Sequence, residues 1–313
     1  TTQGVIDVAF GLPWRKGDRV VLFDGEFPAN VTPWQQAAEE FGLELRWLSL
    51  DGFHRSVDEG LVALERSLQR GVRLVAVSAV QYKTGLRMPL AEMAALCHKY
   101  DAEIFVDAIQ ALGATPVEVS WGIDYLSSGS HKHLMGAEGT GFLYVAQRCA
   151  ATMKPRLAGW LGHQDPVAFL VSDEPRLRYD NPLKRSAQAF ETGTSNIIGL
   201  AAIGASLELL GELGVPAIHQ HGDAYLQVLE TGLVGRGFQS HRATAPALRS
   251  TLLGVTVPAD IRLSKLAGGL RDRGVIVNTP DGLMRFAPHW PNAHDEVPHV
   301  LDAVDDALAE LRA

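Results

Sequence analysis

At 313 residues, the chain is long enough for one large domain or two moderate ones. It is 46% hydrophobic and 20% charged, an ordinary globular composition, and its 36 acidic against 28 basic residues leave a net charge of −8. That balance argues against nucleic acid or an anionic membrane as a general partner. Cys97 and Cys149 are its two cysteines, and neither belongs to a CxxC pair. This gives no support to a disulfide framework or a Cys-rich zinc site and fits a reducing, cytoplasmic setting. No apolar run is long enough to span a bilayer and no signal peptide is visible.

In chain order, residues 19–23 (RVVLF) read as a strand, and Trp34, Ala37, Ala38 and Phe41 then recur at helical spacing. Residues 44–48 read as a strand, and 73–80 (RLVAVSAV) as a buried one. Leu90, Met93, Ala94 and Cys97 mark one helix face, followed by a strand at 103–107 (EIFVD). Such alternation predicts a mainly parallel sheet with helices on both faces. Residues 173–182 (DEPRLRYDNP) are the most loop-like stretch. In the last third, 251–257, 275–277 and 283–287 are strand candidates, and 295–311 forms an amphipathic helix. The expectation is an α/β large domain over 1–205 and a smaller C-terminal α+β domain over 206–313.

The chemistry concentrates between Phe105 and Tyr144. A hydrophobic strand ends at Asp107, and in open α/β sheets ligands bind at the carboxyl ends of strands. A second apolar stretch, 123–126, runs into Ser127-Ser128-Gly129-Ser130-His131-Lys132-His133, and Gly136, Gly139 and Gly141 follow. Pyridoxal phosphate (PLP) requires a lysine for its Schiff base and a carboxylate beside its pyridine nitrogen. It also requires hydroxyls and backbone N–H groups around its phosphate. An aspartate at a strand end is often a helix cap, and a lysine in a Gly/Ser loop is usually solvated. Their spacing and common context lift the set above either reading.

The segments VDAIQALGATPVEV and IDYLSSGSHKHLMGAEGTGFLYV resemble the cofactor core of class V aminotransferases, a family of PLP-dependent transferase fold type I. The likeness extends to GLPWRKGDRVVLFDGEFPANVTPW, FETGTSNIIGLAAIGASLELL and RFAPHWPN. It implies that Lys132 carries the cofactor, that Asp107 pairs with the pyridine nitrogen and that Gln110 bonds the ring 3-oxygen. His131 and a serine would bind the phosphate. The usual S-G-H-K order is here S-G-S-H-K, so either Ser128 or Ser130 can serve. Thr2 matches a phosphate-binding threonine at a helix N-terminus. Thr194 matches a residue reaching the partner subunit's phosphate, which implies a homodimer with shared active sites. Arg285 matches the arginine that binds the substrate α-carboxylate, for which a guanidinium fork is suited. Relatives carry a further stretch before the TTQG equivalent, so such a segment is expected to precede Thr1.

Two departures set the chain apart from the desulfurases of this family. Their ring-stacking histidine is matched by Phe27, which stacks but cannot move protons. Their nucleophilic cysteine has no counterpart in residues 277–282 (VNTPDG), and an arginine common just before that loop is replaced by Asn278. Cys97 and Cys149 read as structural. The pairs His131/His133 and His219/His221 lack the further ligands of a zinc site, and no GxGxxG or P-loop run is present. Trp14, Trp34, Trp47 and Trp121 read as packing residues; Trp160 reads equally as a pocket wall or a packed loop. The expected function is transamination or elimination on a small amino acid. Epimerisation of the isopenicillin-N-epimerase type is the runner-up, and a non-catalytic PLP-fold binding protein the contrasting alternative.

Overall fold

A computed structural model describes residues 1–313. In chain order the elements are α1 (Thr2–Gly11), β1 (Arg19–Phe23), α2 (Thr32–Phe41), β2 (Glu44–Leu48), α3 (Asp51–Arg55), α4 (Val57–Leu68), β3 (Leu74–Ser78), α5 (Leu90–Lys99), β4 (Glu103–Asp107), β5 (Tyr125–Gly129) and β6 (Gly141–Val145). There follow α6 (Gln147–Ala150), α7 (Ile197–Leu213), α8 (Val215–Val234), β7 (Gln239–Ser240), β8 (Leu253–Thr256), α9 (Leu263–Asp272), β9 (Met284–Phe286) and α10 (Glu296–Arg312).

The first six strands form one sheet in the order β2-β1-β3-β4-β5-β6, parallel except for β6. The strands β3 and β4 lie inside it and are buried along nearly their whole length, which is why they read as continuous apolar runs. Edge strand β2 alternates polar and apolar residues, and Trp47 on it is exposed rather than packed. Trp34 is fully buried and meets Phe105 edge-on at 5.4 Å. Local signals set helix ends: Ser56 accepts the amide of Glu59 at 3.1 Å to cap α4, and Gly42 closes α2 in the left-handed region (φ 68°).

A second sheet, β7-β8-β9, is antiparallel and packs with α8, α9 and α10 around its own apolar core, from Tyr225 to Leu308. The expected boundary at 205/206 falls inside α7, a continuous helix. Residues 275–277 are not a strand. Only Asn278 bridges to Arg285, because Ile276 faces solvent and Gly274 turns the chain at φ 80°. The seam between the two sheets is the segment 81–87. Gly85 (φ 77°) lies so close to the Leu252 carbonyl that an added Cβ would stand 2.3 Å from it. Ser250 Oγ donates to the Gly85 carbonyl at 2.6 Å, and the Arg87 amide donates to the Leu248 carbonyl at 2.9 Å.

Candidate active site

Asp107 ends β4 at the carboxyl edge of the parallel sheet and is 3% exposed. Burial pushes its carboxyl up to about 6, against the pull of the Ile109 amide (3.0 Å) and the Lys132 charge. A carboxylate held there at a desolvation cost gains from a cationic partner. The turn that follows carries Gln110, which is buried and makes no side-chain hydrogen bond within the chain.

Strand β5 leads directly to Lys132. Burial lowers the lysine pKa, Asp107 opposes the shift and Arg285 adds to it, so the amine is readier to act as a nucleophile than a solvated one. Its Nζ stands 5.8 Å from the centre of the Phe27 ring. Phe27 comes from the turn after β1 and meets Tyr82 edge-on at 5.3 Å. Arg285 arrives from β9 in the second sheet. Its Nη1 donates to the Tyr82 carbonyl at 2.5 Å, while its Nε is buried without a partner. An orphaned guanidinium donor is costly unless a ligand accepts from it.

The start of α1 packs beside the end of β5: the Gly129 amide donates to Thr1 Oγ1 at 2.7 Å and Ser127 Oγ to the Thr1 carbonyl at 2.9 Å. Thr2 is exposed in the first turn of that helix. His131 is exposed beside Lys132. Ser128 and Ser130 are fully buried and face inward. Ser128 Oγ donates to the Gly129 carbonyl at 3.0 Å, and Ser130 Oγ to the carbonyls of Ala137 and Thr140 at 2.8 and 3.1 Å. Either serine reaches a phosphate only by releasing a carbonyl. Thr194 lies on the exposed stretch before α7, with no side-chain hydrogen bond.

The folded chain therefore brings together Lys132, Asp107, Phe27 and Arg285, flanked by Gln110, Thr2 and His131. It also adds residues that sequence reasoning passed over. Tyr82 joins Phe27 to Arg285. His133 and His289 pair at 5.2 Å, and His289 Nε2 lies 3.1 Å from the Gly113 carbonyl. Burial holds His133 neutral, down to about 3. Glu26, immediately before Phe27, is a buried carboxyl. Both cysteines are buried, and burial raises each thiol to about 12, so neither is a poised nucleophile. Trp160 is exposed on a short 3-10 turn.

The donor set suits PLP: an amine with depressed pKa, a desolvated carboxylate, a stacking ring beside the amine, and a guanidinium with an unused donor. The aminotransferase class-V family model matches residues 1–284. Among curated proteins, the chain is 29% identical over 309 residues to an uncharacterized aminotransferase, YcbU, of Bacillus subtilis strain 168, covering 97% of this chain and 76% of that protein. It is 30% identical over 283 residues to a probable cysteine desulfurase of Chlamydia trachomatis, covering 89% and 66%. Of other curated desulfurases, 32% identical, it spans 52% of the length. Among solved structures, a variant of C-DES with glycine covalently linked to the PLP cofactor superposes with a TM-score of 0.86 at 24% identity, over 97% of this chain and 78% of that one. The resemblance noted in the cofactor core is thus carried across most of the chain, which belongs to the class V aminotransferase family of PLP-dependent enzymes.

Proposed function

We propose that this enzyme acts on a small α-amino acid by transamination or elimination, with Lys132 as both the cofactor-bearing residue and the group that moves the α-proton. The observation carrying this reading is the convergence of Lys132, Phe27 and Asp107 from the large sheet with Arg285 from the small one. PLP held there would supply an electron sink for the amino acid's α-carbon. Asp107 keeps a negative charge at the place of the pyridine nitrogen. Phe27 would hold the cofactor ring by stacking, and Gln110 would hold its 3-oxygen through the side-chain amide. Thr2, His131 and a serine, Ser128 or Ser130, serve the phosphate. Arg285 orients the α-carboxylate through the guanidinium edge that Tyr82 leaves free.

Phe27 lacks an ionisable group, so the proton chemistry falls to Lys132. No thiol lies on the loop at 277–282, and both cysteines are buried, which supports a reaction other than persulfide formation. A homodimer is supported by α7: Ile197 and Ile198 are 67% and 84% exposed, and Leu200, Leu207, Leu209 and Leu213 also face solvent. Thr194 lies at the start of that face. No single helix is long and apolar enough to cross a membrane. A panel of amino acids, read by the shift in cofactor absorption and by keto-acid or sulfide release, tests the function. Shifts with small amino acids and none with amines lacking the carboxylate are expected. A chain that takes up no cofactor would sink the reading.

A further inference from the structure

Glu26 is a buried carboxyl that the reaction above does not use. It stands in the turn between β1 and α2, with Phe27 as its next residue and Asn30 closing the turn. Its Oε1 accepts the Ser78 amide at 2.7 Å and Gln81 Nε2 at 3.2 Å, and its Oε2 is in hydrogen-bond contact with Ser78 Oγ. Ser78 is the last residue of β3 and the register partner of Asp107 on β4. Gln81 opens the seam segment that carries Tyr82, against which Phe27 packs. One side chain thus joins the turn bearing the stacking ring, the strand end beside Asp107 and the segment whose carbonyl receives Arg285.

We propose that Glu26 is a positioning residue of the cofactor site, clamping the Phe27 turn to the end of β3 and leaving Asp107 as the sole carboxylate charge at that sheet edge. The inference rests on the PLP reading of the site. Two buried carboxylates at one sheet edge cannot both ionise cheaply. Asp107 has the Ile109 amide and Lys132 to hold its charge, whereas the side chains around Glu26, those of Ser78, Gln81 and Asn30, are neutral. Asp107 is the charged group that bears on Glu26, and it disfavours a second charge. Below about pH 7 the proton is therefore favoured on Glu26 rather than on Asp107; Oε1 accepts two N–H groups and Ser78 Oγ lies against Oε2. Burial first, then Asp107, raises Glu26 from the ordinary 4.5 to about 7.

Glu26→Gln supplies the same acceptor and a donor in place of the acid proton, without a charge at any pH. Glu26→Ala removes the clamp. Each cofactor-free protein is titrated with pyridoxal 5′-phosphate, reading absorption and the induced circular dichroism of the bound cofactor. Thermal transitions without cofactor are followed at about pH 6 and about pH 8. Glu26→Gln should bind within about twofold of wild type with an unchanged dichroic band, and Glu26→Ala about tenfold or more weakly with a diminished band. The thermal transition of wild type should fall more than that of Glu26→Gln between the two pH values, because the folded pKa lies above the unfolded one and stability is lost as pH rises through about 7. Equal pH dependence in wild type and Glu26→Gln, or a Glu26→Gln protein that folds yet loses the cofactor, overturns the proposal. A Glu26→Ala protein with wild-type affinity and dichroism does so too. If wild type itself binds no cofactor, the functional reading falls first, and that result is distinct because it appears in every variant.

Discussion

At Lys132 the chain offers an amine whose ammonium form burial disfavours, within reach of an aromatic face and a buried carboxylate. Lys132→Ala should abolish the absorption band of lysine-bound cofactor and all turnover, because the Schiff base requires the lysine amine. A variant that keeps a borohydride-trappable linkage would show that another lysine carries the cofactor. Asp107→Asn should still bind some PLP but lose about a hundredfold or more in kcat, because an amide cannot hold the pyridine nitrogen protonated. Turnover near wild type would remove Asp107 from the chemistry. Arg285 is the discriminating case between substrate binding and a structural ion pair. It has no carboxylate partner within the chain, only the Tyr82 carbonyl, and its Nε is orphaned. Charge-assisted hydrogen bonds are worth about 1.5–3 kcal/mol each, so Arg285→Ala should raise KM for amino acids roughly ten- to a hundredfold and spare the cofactor spectrum. A loss of stability with equal effects on amino acids and carboxylate-free amines would instead assign it to the fold.

The elements that matter most are short. Segment 81–87 has no regular structure, yet it carries the Tyr82 carbonyl, the close approach at Gly85 and the ion pair of Lys83 with Asp281 at 2.6 Å. Asp281 sits on the turn at 280–282, in the stretch expected to carry a cysteine in a desulfurase. That turn is occupied by a surface ion pair rather than a nucleophile. The double change Cys97→Ser, Cys149→Ser should accordingly leave the native reaction largely intact. It should cost some stability, because Cys97 lies in the core and Cys149 donates to Asp124 at 3.1 Å. A folded, cofactor-loaded double variant without activity would contradict this. Helix α7 makes its own prediction. Ile198→Glu places a charge among the most exposed apolar side chains, at the N-terminal end of α7, and sedimentation should then report a lighter species than wild type. An unchanged assembly, or a wild-type protein that is already a monomer, would rule this face out as the interface.

On the scale of the whole molecule, the apolar clusters of the large sheet and the core of the small sheet meet at the 81–87 segment, and the site lies beside it. Burial of Asp107 without its ligand also links stability to pH. Its folded value, about 6, lies above the ordinary 3.8, so its contribution is complete below about pH 4 and is lost as pH rises through about 6. The cofactor-free Asp107→Asn protein should therefore gain stability relative to wild type as pH rises from about 4 to about 8, by a few kcal/mol at most. Denaturant titrations across that range check it, and a difference independent of pH would mean that the carboxyl is not desolvated. The alternation of apolar runs and amphipathic helices was enough to foresee the parallel sheet, because β3 and β4 are covered on both faces and leave a continuous apolar record. The placement of Asp107 at a strand end and of Lys132 in the loop after a strand was legible for a similar reason, because both depend on local pattern. The antiparallel turn of β6, the absence of a strand at 275–277 and the exposure of Trp47 were not, because pairing and coverage depend on distant segments. The same holds for Glu26, Tyr82 and the orphaned Nε of Arg285. A carboxyl becomes a buried acid, and a guanidinium an unsatisfied donor, only when segments far apart in the chain close over them and exclude water.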